Sequence, residues 1–463
     1  MSRQNAVIVI GVLLVWRIVM AAILPLSADE AYYLLWSHHL QTGYFDHPPT
    51  IAFLIRAGTL VFGDTPLGVR AMSLPLSLLT TWFVWQTAAM LLKDGGKAAL
   101  AAVLFNFTLM ANVELLAATP DMPSIATVAA FLWAIARVQT RGEGHWWMVA
   151  GFFAGLSLLS KYSALFLIAG AFFWMLLSPR ARPWLKTIWP WAGALLALAI
   201  FSPNLVWQAQ HGWETFAFQF GRMGQGALTW RYLAEFTGAQ LGLMTPLILV
   251  LAGGGFWRAR CPGGDTFPLF VIVAVALIYF LQHALHDRVQ GNWPCFLTPA
   301  LAVLAADGFL RAPRWLSWSA APLAGLLLLA LYLQAALGLV PLKNDPVARL
   351  LARDFPAAVA VLAQSAPDGV ILTTDYETTA LLRYWRPQLR VVQLNEPWRY
   401  DWAAAPPDAW FKEQTVYFVE TRRERAALVK QLFTQMTGAI VHPGGYQSSM
   451  VEHPVQPAPG RVP

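Results

Sequence analysis

The chain has 463 residues, of which 57% are hydrophobic and only 12% charged, about half the charge of an ordinary soluble domain. Its formal net charge of +7 is scattered as single cations between apolar runs, a pattern that sets membrane topology rather than binding nucleic acid. A single globular enzyme, a fibrous protein and a disordered chain are excluded.

Residues 1–340 hold 19 Lys/Arg and 13 Asp/Glu, whereas residues 341–463 hold 13 and 12 in about a third of the length. The first stretch reads as a polytopic α-helical membrane domain and the second as a small soluble α/β domain. A crossing helix needs about 20 mostly apolar residues. Eleven segments qualify, at roughly 5–26, 68–92, 98–117, 123–140, 146–160, 162–177, 187–204, 234–257, 267–284, 295–310 and 315–340. The first lacks a small-x-small cleavage exit and is expected to stay as a helix.

The stretches 27–67 and 205–233 are long, aromatic and too polar to span, which fits interfacial helices. Many of the 22 tryptophans suit the interfacial belts. Beyond 340, an amphipathic helix at 345–362 precedes expected strands at 370–373, 390–394 and 415–419. Helices at 376–384 and 422–433 alternate with those strands, and a Pro-rich tail follows from 454.

One alternating set of connections is short and carries twelve cations, against five in the longer opposite set. The cation-rich side is cytoplasmic, so the N-terminus lies inside and the odd span count puts the C-terminal domain outside. Asp29, Glu30, Asp46, Asp64, Asp121, Glu214 and Asp287 fall on the outer side. Acids contribute little to topology, so an outward-facing reaction centre is the natural cause. The two cysteines, Cys261 inside and Cys295 near the outer end of a helix, are not expected to pair.

The first outer loop reads Asp29-Glu30-Ala31-Tyr32-Tyr33, then Tyr44-Phe45-Asp46-His47-Pro48-Pro49. Adjacent acids at the exit of a membrane helix are costly without a purpose. They could coordinate a divalent metal, or one could act as general base on an acceptor hydroxyl. The bland alternative is an acidic cap on the next helix. His47, before two prolines, is aimed by a rigid turn at a phosphate or is a polar cap.

Asp121, in Thr119-Pro120-Asp121-Met122-Pro123, suits both an outer reaction centre and the start of the fourth span. Lys161 tops a hairpin whose first arm has only about 14 apolar residues, about 21 Å of helix against a core of about 30 Å. It can hold a lipid phosphate there or snorkel to the headgroups. Arg288 can clamp a phosphate or pair with Asp287. Arg17 inside the first span reads as structural, and Glu114, Glu235 and Asn106 have no partner that the sequence names. No phosphate loop, His-Glu-x-x-His, Gly-x-Ser-x-Gly or Cys-x-x-Cys is present.

The two halves of the first loop resemble the signature of the bacterial GT-C glycosyltransferases. Within them it is similar to the group of the protein O-mannosyltransferases, the lipid A aminoarabinose transferases and the lipopolysaccharide galacturonosyltransferases. The likeness extends to Thr119–Pro123, Ser160-Lys161-Tyr162, Gly291-Asn292-Trp293-Pro294 and Leu372-Thr373-Thr374-Asp375-Tyr376-Glu377. The resemblance implies transfer of a sugar from a polyprenyl-phosphate donor to a lipid, glycan or protein acceptor at the outer face of the bacterial inner membrane. It implies catalytic roles for Asp29, Glu30 and Asp121, with Asp29 as the base. Tyr33, Asp46, His47, Lys161 and Arg288 then bind the donor. Relatives carry a basic residue where His47 stands, a lysine in the aminoarabinose transferases. No nucleotide is required, no cofactor is assigned, and a divalent metal at Asp29 and Glu30 stays open. A transporter or lipid flippase is the competing class; the candidate residues gather at outer loops rather than at the midplane where transporters bind.

Overall fold

The structure, a computed structural model, describes residues 2–221, 226–343, 345–365, 369–402, 415–420 and 423–454. Arg222, Arg422 and the Pro-rich tail beyond residue 454 lie outside the described residues. The chain is mostly helical. It begins with α1 (Arg3–Ile23), α2 (Ala28–His38), α3 (Thr50–Phe62), α4 (Pro66–Arg70), α5 (Ser73–Leu92), α6 (Gly95–Phe107) and α7 (Leu109–Glu114). Then come α8 (Asp121–Arg141), α9 (His145–Ser160), α10 (Leu165–Leu177), α11 (Trp189–Gln210), α12 (Glu214–Phe220), α13 (Arg231–Leu243) and α14 (Pro246–Ala259). The last apolar helices are α15 (Phe267–Ala284), α16 (Thr298–Phe309) and α17 (Arg314–Leu337).

Among the described residues six helices are long and apolar enough to cross a membrane: α1, the stretch Pro66–Leu92, α8, α11, α15 and α17. The other expected spans are helical too, but shorter or broken. The segment 234–257 is not one helix: α13 and α14 meet at a bend of 103°. Thr245 takes a positive φ of 59° there, and Pro246 cannot supply the amide that would continue the ladder. The segment 98–117 breaks at Thr108, whose hydroxyl accepts the Ala111 amide and starts α7.

The residues form two compact units, one of Met1–Ala21, Thr42–Gly58 and Arg70–Leu331, the other of Ala22–Gln41, Thr59–Val69 and Tyr332–Pro463. In the larger unit, α14 and α16 pack around Ile248, Leu251, Ala252 and Ala305. Small residues allow close crossings. Gly151 of α9 lies so near Gly193 of α11 that a Cβ at either position would strike the other helix's backbone.

Several buried polar groups of this unit bind one another. Arg17, buried in α1, donates to Asn112 Oδ1 at 3.1 Å, and Asn106 Nδ2 donates to Thr81 Oγ1 at 2.9 Å. Four cations from the expected inner connections converge on two acids: Lys93 and Arg180 on Asp265, Lys97 and Arg258 on Asp307. Both cysteines are free thiols, Cys261 exposed and Cys295 buried.

The smaller unit holds a mixed sheet of β1 (Val370–Thr373), β2 (Arg390–Gln393), β3 (Thr415–Glu420), β4 (Phe433–Met436), β5 (Ile440–Val441) and β6 (Tyr446–Pro454). Its order is β2-β1-β3-β6-β4, with β5 also paired to β6. Strand β1 is parallel to β2 and β3, and β6 is antiparallel to β3 and β4. The helices are α18 (Phe355–Ser365), α19 (Tyr376–Trp385) and α20 (Ala426–Leu432). The expected helix at 345–362 opens as wide π-type turns over Pro346–Asp354 before α18, and among the described residues of 422–433 the helix is α20. Val370, Leu372, Val392, Tyr417, Val419 and Phe433 form the core.

The Gly151–Gly193 crossing can be tested directly. Gly151→Ala is expected to cost about 1–3 kcal/mol through overpacking, read as a lower unfolding midpoint in detergent. Gly253→Ala, with nothing within 4 Å of the new Cβ, is expected to leave the midpoint in place.

Candidate functional site

In the larger unit two of the candidate residues, Asp121 and Lys161, meet at the start of α8. Asp121 is its first residue and is buried. Its Oδ1 accepts from Lys161 Nζ at 2.6 Å and from the Cys295 thiol at 2.8 Å. Its Oδ2 accepts from Asn292 Nδ2 at 3.0 Å. The carboxylate is thus held by three donors from two other connections, beyond the favourable field of its own helix end. Lys161 follows α9, whose 16 residues make about 24 Å of helix, short of the hydrocarbon core. Its side chain is 14% exposed, so the ammonium is nearly enclosed and matched by a carboxylate rather than snorkelling. Glu114 adds a second negative charge within electrostatic reach of Lys161.

The hairpin after Lys161 and the second half of the first loop share one frame on α11 and α12. The Tyr162 hydroxyl donates to Asn204 Oδ1 at 3.0 Å, and Asn204 Nδ2 donates to the Thr42 carbonyl at 2.9 Å. Gln208 Nε2 donates to Tyr162 Oη and to Thr215 Oγ1, and Thr215 Oγ1 donates in turn to the Tyr44 carbonyl. Gln219 Nε2 donates to the Asp46 carbonyl at 2.8 Å. The turn closes on itself when the Tyr44 amide donates to the His47 carbonyl at 3.2 Å. Gly43 is required here because a Cβ would come within 2.7 Å of the Trp207 ring. Arg288, four residues before Asn292, is exposed, with Nε 3.4 Å from Glu235 Oε2, so its ion-pair partner is Glu235 rather than Asp287.

The first half of the loop belongs to the smaller unit. Ser27 and Glu30 form a capping box at the start of α2: the Glu30 amide donates to Ser27 Oγ, and the Ser27 amide donates to Glu30 Oε2 at 2.9 Å. Asp29 has a different partner, the Tyr376 hydroxyl, which donates to Asp29 Oδ1 at 2.9 Å. Tyr33 is buried against Trp36, ring centroids 4.8 Å apart. Next to Tyr376, Arg423 binds Glu377 at 2.8 Å, Asp375 at 3.2 Å and Glu420 at 3.3 Å. Burial pushes the Glu377 carboxyl above its ordinary range against the pull of Arg423, with Asp29 and Asp375 adding to the rise. Among the described residues no three His, Cys, Asp or Glu side chains gather as a metal site.

Sequence reasoning did not single out Asn292, Cys295 or Tyr376 as site members. The signal for the first two was polar groups entering the apolar segment that α16 completes. Tyr376 lay within the matched Leu372–Glu377 segment, but nothing there points to a partner 347 residues away.

The Asp121–Lys161 pair has a thermodynamic signature. Lys161→Met is expected to cost about 3–5 kcal/mol by leaving a buried carboxylate without its counter-charge. Asp121→Asn together with Lys161→Met is expected to lose less than the sum of the single changes. Unfolding midpoints in detergent for the four members of the cycle check this.

Residues 46–207 match the family described as dolichyl-phosphate-mannose-protein mannosyltransferase. The chain is 27% identical over 410 residues to a lipid A galacturonosyltransferase, RgtD of Rhizobium johnstonii, covering 82% of each chain. It is 25% identical over 299 residues to the undecaprenyl phosphate-alpha-4-amino-4-deoxy-L-arabinose arabinosyl transferase 1 of Pseudomonas fluorescens, covering 58% of this chain and 50% of that one. In fold it matches ArnT of Cupriavidus metallidurans solved bound to undecaprenyl phosphate, with a TM-score of 0.66 at 13% identity over 97% of this chain and 98% of that one. The apo form of the same protein gives 0.65 at 16% identity, over 96% and 98%. By sequence and by fold, then, this chain resembles the GT-C membrane glycosyltransferases of the mannosyl-, aminoarabinosyl- and galacturonosyltransferase group.

Proposed function

We infer that the chain is a glycosyltransferase that moves a sugar from a polyprenyl-phosphate donor to a lipid, glycan or protein acceptor. The observation that carries this reading is the alignment over 82% of both chains with a lipid A galacturonosyltransferase. The fold shared with ArnT is consistent with it.

The chemistry needs few groups. An acceptor hydroxyl oxygen bonds to the anomeric carbon, and the bond from that carbon to the phosphate oxygen breaks with its electron pair going to the phosphate. Asp29 takes the hydroxyl proton as general base. Cations near the departing phosphate offset the charge it gains; Lys161 and Arg288 are the assigned groups, with His47, Asp46 and Tyr33 completing the donor contacts. Asp121 holds Lys161, and Glu30 holds the helix start beside Asp29. Glu30 Oε2 accepts from the Ser27 amide, and its second oxygen would serve a divalent metal beside Asp29 where the reaction uses one.

The reading also covers placement. The enzyme sits in the bacterial inner membrane with about eleven crossings in residues 1–340 and an extracytoplasmic domain at 341–463. The convergence of Lys93, Lys97, Arg180 and Arg258 on Asp265 and Asp307 supports one shared cytoplasmic end for those connections.

Two measurements test the proposal. Asp29→Asn is expected to remove nearly all transfer while its melting in detergent stays close to that of the parent, and wild-type turnover in that variant would exclude Asp29 as base. A topology reporter fused after residue 345 is expected to be active only outside the cytoplasm. Cytoplasmic activity would invert the orientation and move the reaction to the other face.

A further inference from the structure

We propose that Tyr376 is the positioning residue for the Asp29 base, an inference that rests on the reading of Asp29 given above. Its hydroxyl donates to Asp29 Oδ1 at 2.9 Å. An aspartate carboxylate turns freely about its last torsion, and a rigid phenol fixed at one oxygen selects a single orientation.

The phenol is itself held at several points. Tyr376 is the first residue of α19, a helix capped by Asp375, whose Oδ1 accepts the Thr378 amide at 2.8 Å. The Tyr400 hydroxyl donates to the Tyr376 carbonyl at 2.9 Å. The Arg399 guanidinium lies 4.6 Å from the centre of the Tyr376 ring, a cation–π distance. The ring also packs on Tyr32 with centroids 5.1 Å apart. Tyr32 stands three residues beyond Asp29 on α2, one helical turn along, and its hydroxyl donates to the Arg399 carbonyl at 3.0 Å. The backbone that carries the base and the backbone that carries the phenol are therefore tied through Tyr32, Tyr400 and Arg399 as well as through the bond itself.

A neutral donor suits this task. An arginine at the same place would pair with the carboxylate and hold the substrate's proton acceptor too weakly basic. Nearby, Asp375, Glu377 and Glu420 pair with Arg423, and Arg399 pairs with Glu396 at 3.2 Å. The phenol itself donates to Asp29 without bringing a charge.

The test uses the full chain in detergent, with undecaprenyl-phosphate-linked galacturonic acid as donor and lipid A as acceptor. Tyr376→Phe keeps the ring and removes the hydroxyl. We expect kcat to fall about tenfold to a hundredfold, the scale of one hydrogen bond to a charged group. Both KM values and the melting midpoint stay within error of the parent. The acid limb of the kcat profile moves to higher pH, because a carboxylate that loses a donor to its charged form is protonated more easily. A purely structural tyrosine would lower stability without moving that limb. An unchanged kcat and acid limb in Tyr376→Phe, beside an inactive Asp29→Asn, overturns the positioning role and leaves the base assignment standing. Full turnover in Asp29→Asn overturns the base assignment, and the role of Tyr376 with it.

Discussion

A nearly enclosed ammonium 2.6 Å from a buried carboxylate, Lys161 on Asp121, is the contact on which the candidate site of the larger unit depends. In an apolar bundle neither charge is tolerable alone, so the pair forces three connections together: the start of α8, the hairpin after α9, and the segment before α16 that brings Asn292 and Cys295. Three donors on one carboxylate leave it little freedom to turn. The same contact limits what Lys161 can do for a ligand. One of its three N–H groups is already directed at Asp121, so a donor phosphate would share the ammonium with a resident acid rather than meet a bare cation.

Around this pair, irregular backbone is satisfied by side chains. The stretch from Thr42 to His47 has no helical ladder, yet the Thr42, Tyr44 and Asp46 carbonyls accept from Asn204, Thr215 and Gln219. Buried non-helical chain survives only with such partners. Asn204, Gln208 and Tyr162 therefore act as one frame, and the stretch Thr42–Asp46 inherits the rigidity of α11. Substrate-facing groups carried by a loop gain precision when the loop is fixed in this way.

The helices of the larger unit were legible because hydropathy and length are written locally in the chain. The continuity of two of them was not. Thr245-Pro246 bends one expected span and Thr108 breaks another, since single-residue backbone effects are averaged away over a window of 20 apolar residues. In the smaller unit alternation gave β1, β2 and β3, whereas the π-type opening at Pro346–Asp354 has no compositional mark. For the site, Asp121 and Lys161 were each named, but each alone kept two readings. Only their separation of 40 positions, closed by the fold to a single ion pair, joins them. Arg288 likewise left two options, and its actual neighbour Glu235 was neither of them.

The acidic pair of the first loop shows how the fold differentiates chemically similar residues. Asp29 and Glu30 are neighbours in sequence, and composition offers no way to assign them different tasks. A capping box then takes Glu30, because its longer side chain can reach back to the Ser27 amide. Asp29, one residue earlier on the first turn of α2, points in another direction and meets the Tyr376 hydroxyl. One carboxylate stabilises the helix and the other receives a directed neutral donor. The adjacency that makes the motif conspicuous in the sequence is thus a consequence of helix geometry: the residue that holds the turn in place must sit beside the residue that the turn presents.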